Sequence, residues 1–299
     1  MATSYLQVPF HKLGHPFLYA PIERKDQWDN IVADALHSST YYAIQLVTSG
    51  QAQQRVDFQW NTLQENQATM IAPGQLHKVQ YLPGTTGHLL LIEPTFFEQY
   101  AITKTEQAAL NLFFHFDQVI EASFEDKSLQ RIRHIFSCLE EEQNTSNPRF
   151  EKMVGGSLLR ILTLEFMRSA KELNHSIAKD LSGRRVEIVR QFFQDLNEDF
   201  RECHQVQQLA SKQDLTSNYL NEVVKAETGS SAKDFIKNRL ALEAKRLASI
   251  TRWSMKDIAT SLGFEDIAHF SRFFKKQVGT NFSKFREAPS EVLHDKKQV

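Results

Sequence analysis

Residues 256–285, KDIATSLGFEDIAHFSRFFKKQVGTNFSKF, can be laid over residues 206–235, VQQLASKQDLTSNYLNEVVKAETGSSAKDF, and this overlay decides the architecture of the C-terminal part of the chain. Leu209-Ala210 falls on Ile258-Ala259 at an offset of 49. After one extra residue in the second turn, Leu220, Lys225, Gly229 and Phe235 fall on Phe270, Lys275, Gly279 and Phe285 at an offset of 50. Internal repetition of this kind marks one supersecondary unit used twice. Each copy reads as a short helix, a tight turn and a second helix ending near a glycine, which is the pattern of a helix-turn-helix. Small Ala210 and Ala259 let the paired helices cross closely, and Leu220 and Phe270 fill the space beneath them. In the second copy Gly263 suits a turn with positive φ, Asp266 can cap the next helix, Gly279 can end it, and Ser254 with Asp257 resembles a capping box. Between the copies, Asp234 to Ile250 reads as one long helix with Phe235, Ile236, Leu240, Ala244 and Leu247 inward, a stiff connector between the units.

Leu262 to Arg286, LGFEDIAHFSRFFKKQVGTNFSKFR, contains Gly-aromatic, then Phe-Ser-Arg, Phe-Lys-Lys, Gly and aromatic-Arg in order. In this pattern the chain resembles the AraC/XylS family from about residue 182 onward. It departs from the family at Phe282, where Pro is usual, and at Glu222 and Val224, where Arg-like and Phe residues are commoner. The resemblance implies a transcription regulator whose partners are double-stranded DNA and RNA polymerase. It also implies two recognition helices, Thr216 to Lys225 and Asp266 to Lys276, entering successive major grooves about 34 Å apart. On that geometry Ser217, Asn218 and Asn221 project outward behind Thr216, as do Ile267, Ala268, Ser271 and Arg272 on the second helix. Asn pairs with adenine, Arg with guanine, and Ile or Ala with a thymine methyl. Lys225, Lys275, Lys276 and Arg286 suit phosphate contacts, which position without specifying. Each of these residues taken singly is equally a solvated surface side chain.

Composition is compatible with this. A chain of 299 residues suggests two domains, and 41% hydrophobic with 24% charged residues is ordinary for a soluble protein. No apolar run reaches the roughly 20 residues that span a bilayer, and the N-terminus has no basic segment followed by an apolar one, so a cytoplasmic protein is expected. Cys138 and Cys203 are too few for a disulfide framework or a thiolate metal site. The net charge of −1 hides an asymmetry: residues 1–183 carry 15 Lys+Arg against 20 Asp+Glu, and residues 184–299 carry 20 against 16. That excess favours nucleic-acid binding only slightly.

Residues 41–93 alternate with period two. Val56, Phe58 and Trp60 read as one half-buried strand, Tyr42, Ile44 and Leu46 as another, and Leu89 to Ile92 as a more buried one, with Pro73-Gly74 and Pro83-Gly84 as loops. YYAIQLVTSGQAQQRVDFQW (41–60) with ATMIAPGQLHKV (68–79) is similar to the cupin-type sensory barrel that often precedes the helix-turn-helix module. Tyr42, Phe58, Trp60 and His77 are the candidate ligand-binding residues, lining either a pocket for a small organic effector or simply a packed core. His77 lacks the paired His-x-His and Glu that a metal-binding cupin adds, so no metal and no cofactor is expected.

Beyond Pro94 the period lengthens. Leu129, Ile132, Ile135, Phe136 and Leu139 mark one helix face. A second helix over about 150–171 is apolar on several sides and needs partners on two faces: the barrel and a neighbouring helix, or a second copy of the chain meeting it at Leu162. The expected fold is α+β in two domains. Residues 1–181 form a cupin-like β-barrel with flanking helices, and residues 182–299 an all-α double helix-turn-helix, with Lys171 to Gly183 as linker. No nucleophile, base and orienting acid stand out together, so no enzymatic activity is expected. The competing assignments are a cupin-like enzyme fused to a helical domain, and a DNA-binding protein whose N-terminal half only dimerises.

Overall fold

The computed structural model describes residues 7–8, 15–23, 36–102, 119–144, 148–170 and 184–287. They fall into two compact units, one holding the strands and helices up to Ala170 and the other the helices from Arg184 onward. The linker expected at Lys171 to Gly183 lies outside the described residues.

The first unit contains strands β1 (Gln7–Val8), β2 (Phe17–Pro21), β3 (His37–Ser39), β4 (Tyr42–Ser49), β5 (Ala52–Val56), β6 (Gln59–Leu63), β7 (Gln67–Ile71), β8 (Leu76–Tyr81), β9 (Thr86–Ile92) and β10 (Ile120–Ser123). They form two five-stranded sheets, ordered β1-β3-β8-β5-β6 and β10-β7-β4-β9-β2. Only the β1–β3 pair is parallel among the described pairings. Tyr41, Ala43, Val56, Ile71 and Leu91 meet in a buried cluster with Leu18.

Two expectations are corrected here. Val56, Phe58 and Trp60 do not share a strand: Val56 ends β5, Asp57 and Phe58 make the turn, and Val56 pairs with Gln59 of β6. The turn forms because Asp57 adopts φ 51°, a conformation that Asp tolerates, and its buried carboxylate accepts from the Leu76 amide at 3.1 Å and the Gln75 side chain at 3.3 Å. Tyr42 does lie on a strand, but its ring packs 4.8 Å from that of Phe97, while its neighbour Tyr41 joins the cluster shared by both sheets. Residues 42 to 47 are all buried, because the sheet holding β4 is covered on both faces and alternation no longer distinguishes the inner one.

That second face is covered by a helical segment, Pro94–Phe96 continuing as a wide turn Phe97–Ala101, and by α1 (Asp126–Gln143) and α2 (Pro148–Ser169). The five apolar residues expected on one face of α1 are all buried, with Phe136 stacked at 4.5 Å on His88. Gly155 and Gly156 let α2 approach closely, since a Cβ would lie 2.5 Å from the Phe17 ring and 2.4 Å from Tyr100 Cβ. Leu162 is 2% exposed and belongs to this core, so of the two alternatives for this helix its side faces the barrel and the neighbouring helix and is not the place where a second chain would meet it.

The second unit contains α3 (Arg184–Asp199), α4 (Val206–Lys212), α5 (Ser217–Thr228), α6 (Ala232–Ile250), α7 (Met255–Ser261), α8 (Ile267–Val278) and α9 (Phe282–Glu287). The connector α6 buries Phe235, Ile236, Leu240 and Ala244 as expected, whereas Leu247 is only half-buried and Arg246 is buried. Glu243, on the same helix, is flanked by Arg239 at 2.9 Å, Arg201 at 3.6 Å and Arg246 at 3.7 Å. Arg239 and then Arg246 hold its carboxyl below the usual range against the opposing effect of burial. Phe193 meets Phe235 edge-on at 4.8 Å, so α3 extends the core of the first repeat.

Candidate nucleic-acid interface

The second helices of the two repeats are built alike. α5 and α8 are each 12 residues long, and Thr216 and Asp266 cap them through side-chain oxygens. Thr216 accepts from the Tyr219 amide at 3.2 Å; Asp266 accepts from Ala268 at 2.9 Å and His269 at 3.2 Å. Gly229 and Gly279 end them at φ 82° and 79°, with amides bonded to the carbonyls of Lys225 and Lys275. Both helices run farther than their expected ends at Lys225 and Lys276. The capping box at Ser254 and Asp257 is present, and Gly263 has φ 76°.

At about 100° per residue, the buried residues fix the outward side. α5 buries Leu220, Val223 and Val224, leaving Asn218, Glu222 and Lys225 exposed; α8 buries Phe270 and Phe274, leaving Ala268, Arg272 and Lys275 exposed. Ile267 is 36% exposed and Lys276 is exposed, while Asn221 and Ser271 are half-buried at the flanks. Ser217 donates to the Gln207 side chain, tying α5 to α4. Arg286, expected at a phosphate, donates from Nη2 to the Thr251 carbonyl at 2.6 Å and lies over the Phe282 ring. It thereby anchors α9 to the end of α6.

Two outward residues were not singled out as site residues from sequence. Tyr219 is 42% exposed on α5, and Glu222 lies almost opposite the buried side of that helix. Placing Leu220, Val223 and Val224 on a helical wheel is the signal that finds Glu222.

Of the four candidate ligand-binding residues, only His77 lines the space between the sheets. Trp60 is 43% exposed and pairs across the hairpin with Arg55, whose guanidinium lies 5.9 Å from its ring. Phe58 sits in the turn, 5.8 Å from the same guanidinium. A cavity of about 20 Å³ between the sheets is lined by His37, Tyr41, Gln45, His77 and Tyr81 among others, room for about one water.

Its polar lining is linked. Tyr81 donates to Gln45 Oε1 at 2.8 Å, and Gln45 donates to Gln54 Oε1 at 2.7 Å. The buried Gln54 amide nitrogen has no hydrogen-bond partner. His77 donates from Nδ1 to the Gln75 carbonyl at 3.0 Å, and its ring lies 4.2 Å from that of His37. Burial, and then the adjacent His37, push the His77 pKa down to about 4, so the imidazole is neutral. Burial pushes the Tyr81 phenol up. Among the described residues no three His, Cys, Asp or Glu side chains gather as a metal site would require.

The model of the AraC-like ligand binding domain matches residues 20–159, and that of a helix-turn-helix domain matches residues 209–288. The chain is 25% identical over 147 residues to the arabinose operon regulatory protein of Escherichia coli (strain K12), covering 49% of this chain and 48% of that protein. It is 33% identical over 79 residues to the probable transcription factor PqrA of Proteus vulgaris, 26% of this chain and 65% of that one. The chain spans about half the length of the arabinose operon regulators it matches. A solved structure of unsaturated fatty acid bound ToxT from Vibrio cholerae aligns over 90% of this chain and 94% of that one, at 14% identity and a TM-score of 0.39.

Proposed function

We propose that the chain is a transcription regulator of the AraC/XylS family, a reading supported by its matches to the AraC-like ligand binding domain and to the helix-turn-helix domain, and that it binds specific DNA sequences through residues 182–299 and responds through residues 1–181 to a small-molecule effector. The observation that carries this reading is the pair of 12-residue helices with matching side-chain caps and glycine ends, each presenting exposed polar or basic residues. Thr216, Ser217, Asn218, Asn221, Ile267, Ala268, Ser271 and Arg272 form the base-facing set. Lys225, Lys275 and Lys276 take the phosphates, and Arg286 has its Thr251 bond in addition. RNA polymerase and a cytoplasmic setting complete the proposal; among the described residues no helix is long and apolar enough to cross a membrane.

For the effector we propose the space between the two sheets, supported by its linked neutral polar lining and the unsatisfied Gln54 nitrogen. A cavity of about 20 Å³ admits more than a water only if side chains such as Tyr41 or Tyr81 move. Effector binding would therefore be coupled to a change of conformation, as a sensor requires.

Dimerisation is a further part of the proposal. Met153, Val154, Ile161 and Leu164 of α2 are 62%, 43%, 50% and 38% exposed, at helical spacing along one side. A second copy of the chain meeting this side would form a two-fold pair with four recognition helices.

The test is selection of duplexes from a random-sequence pool by the full-length protein, with and without candidate effectors. Enrichment of a two-part site whose affinity falls steeply with salt is expected. Failure to bind any duplex in a salt-dependent way would overturn the DNA-binding reading.

A further inference from the structure

Glu222 and Arg272 occupy the same place in the two repeats. Each is the sixth residue of its 12-residue helix, six residues beyond a side-chain cap and seven before a left-handed glycine. Each is exposed, and each lies opposite the buried residues of its helix. Along this side α5 presents an amide, a carboxylate and an ammonium at Asn218, Glu222 and Lys225. α8 presents a methyl, a guanidinium and an ammonium at Ala268, Arg272 and Lys275. Among the described residues no ion pair holds Glu222.

A carboxylate at the centre of a face that enters a major groove is repelled by the phosphates on both sides unless a donor meets it. The groove offers two kinds of base donor, the cytosine N4 amino group and the adenine N6 amino group. Adenine places its N7 acceptor beside that amino group, where a second carboxylate oxygen would be repelled. Cytosine has no acceptor on its own major-groove edge. Resting on the DNA-binding reading above, we propose that Glu222 is a specificity-determining residue that accepts a hydrogen bond from the N4 amino group of a cytosine in the half-site read by α5. The two units then read opposite partners of a G·C pair, Glu222 the cytosine and Arg272 the guanine, and the repeat distinguishes the two ends of its own site. An asymmetric site gives the bound protein a direction along the duplex.

The experiment is selection from a random-sequence duplex pool with the full-length wild-type protein, Glu222→Ala and Glu222→Gln, followed by affinity measurement on the wild-type consensus, on its single-position variants and on scrambled DNA. The wild-type pool should contain one cytosine in the half-site of α5 whose replacement weakens binding by on the order of tenfold. Glu222→Ala should abolish preference at that position alone. Glu222→Gln should move it toward adenine, because an amide can both accept and donate at that edge. A Glu222→Ala pool identical to wild type at every position would overturn the inference, as would an equal gain of affinity on consensus and scrambled DNA, the mark of a charge that only repels phosphate. If the wild-type protein enriches nothing, the DNA-binding reading falls and this inference with it; enrichment that the substitutions leave unchanged removes this inference alone.

Discussion

His204 donates a hydrogen bond from Nε2 to the Leu262 carbonyl at 2.8 Å, joining the loop ahead of the first helix-turn-helix to the turn inside the second. A carbonyl can only accept, so the ring carries its proton on Nε2. The imidazole also lies 4.9 Å from the Phe264 ring, and the contact supplements α6 in holding the two units in one arrangement. His204→Ala should destabilise the protein by about 1 kcal/mol, whereas His204→Gln, with its amide nitrogen near the Nε2 position, should recover most of that loss. Denaturant unfolding measures both. The alanine variant should also bind sites with one base pair inserted between half-sites nearly as well as the original, while wild type should not.

Gly263 lies against the same loop. With φ at 76° and a Cβ that would sit 1.9 Å from the Arg201 carbonyl oxygen, Gly263→Ala combines strain with a clash against backbone. Gly229 has φ 82° and nothing within 4 Å of an added Cβ. Gly229→Ala should therefore cost about 1 kcal/mol and Gly263→Ala more than about 2 kcal/mol in denaturant unfolding. Equal losses would show that the loop yields.

Reading and positioning should separate on α8. Arg272 is at the centre of its outward side and can span the two acceptors of guanine, so Arg272→Ala should cost roughly 1 to 3 kcal/mol on the cognate site and relax one position. Lys276, in the last turn, suits a phosphate. Lys276→Ala should weaken all sequences alike and reduce the salt dependence by about one counterion. Equal losses on cognate and scrambled DNA for Arg272→Ala would make Arg272 a phosphate anchor.

Adjacent residues of α2 should behave oppositely. Leu162 is 2% exposed and Ile161 50% exposed. Leu162→Glu buries a charge in the core and should unfold the first unit. Ile161→Glu should leave a folded protein that sediments as a monomer at concentrations where wild type is a dimer. A wild-type chain that is monomeric throughout would remove the proposed pair.

Acidification should destabilise the barrel. His77 has a folded-state pKa of about 4, below the unfolded value of 6.5, so between these values the unfolded chain binds more protons. Stability from this group is full above about pH 6.5 and is lost as pH falls toward 4, a loss on the order of 3 kcal/mol. His77→Gln should flatten the stability profile across that window. His88, also pushed down to about 4 mainly by burial, should leave a residual slope of the same sign.

The internal repeat and the caps and glycines of its second copy were legible because they are local: Ser254, Asp266 and Gly279 act on backbone a few residues away, and sequence spacing is then spatial spacing. The same holds for the buried face of α1. The N-terminal errors share one cause. Period two identifies a strand with two sides, but which side faces the opposite sheet depends on what covers the other, and Tyr42 turned out to pack on Phe97 while Tyr41 faces the interior. Likewise Val56, Phe58 and Trp60 alternate perfectly, yet a buried bond from Leu76, far along the chain, stabilises a turn at Asp57.

By itself, then, the sequence determined the helix-turn-helix repeat and the two-domain α+β organisation, since both follow from short-range periodicity and capping. Only the tertiary structure decided that Leu162 is core and Ile161 surface, that Trp60 is outside the barrel, that Arg286 bonds to Thr251, and that His204 joins the two helix-turn-helix motifs. Those outcomes depend on contacts between residues distant in sequence, whose burial and hydrogen bonding exist only once the chain has packed.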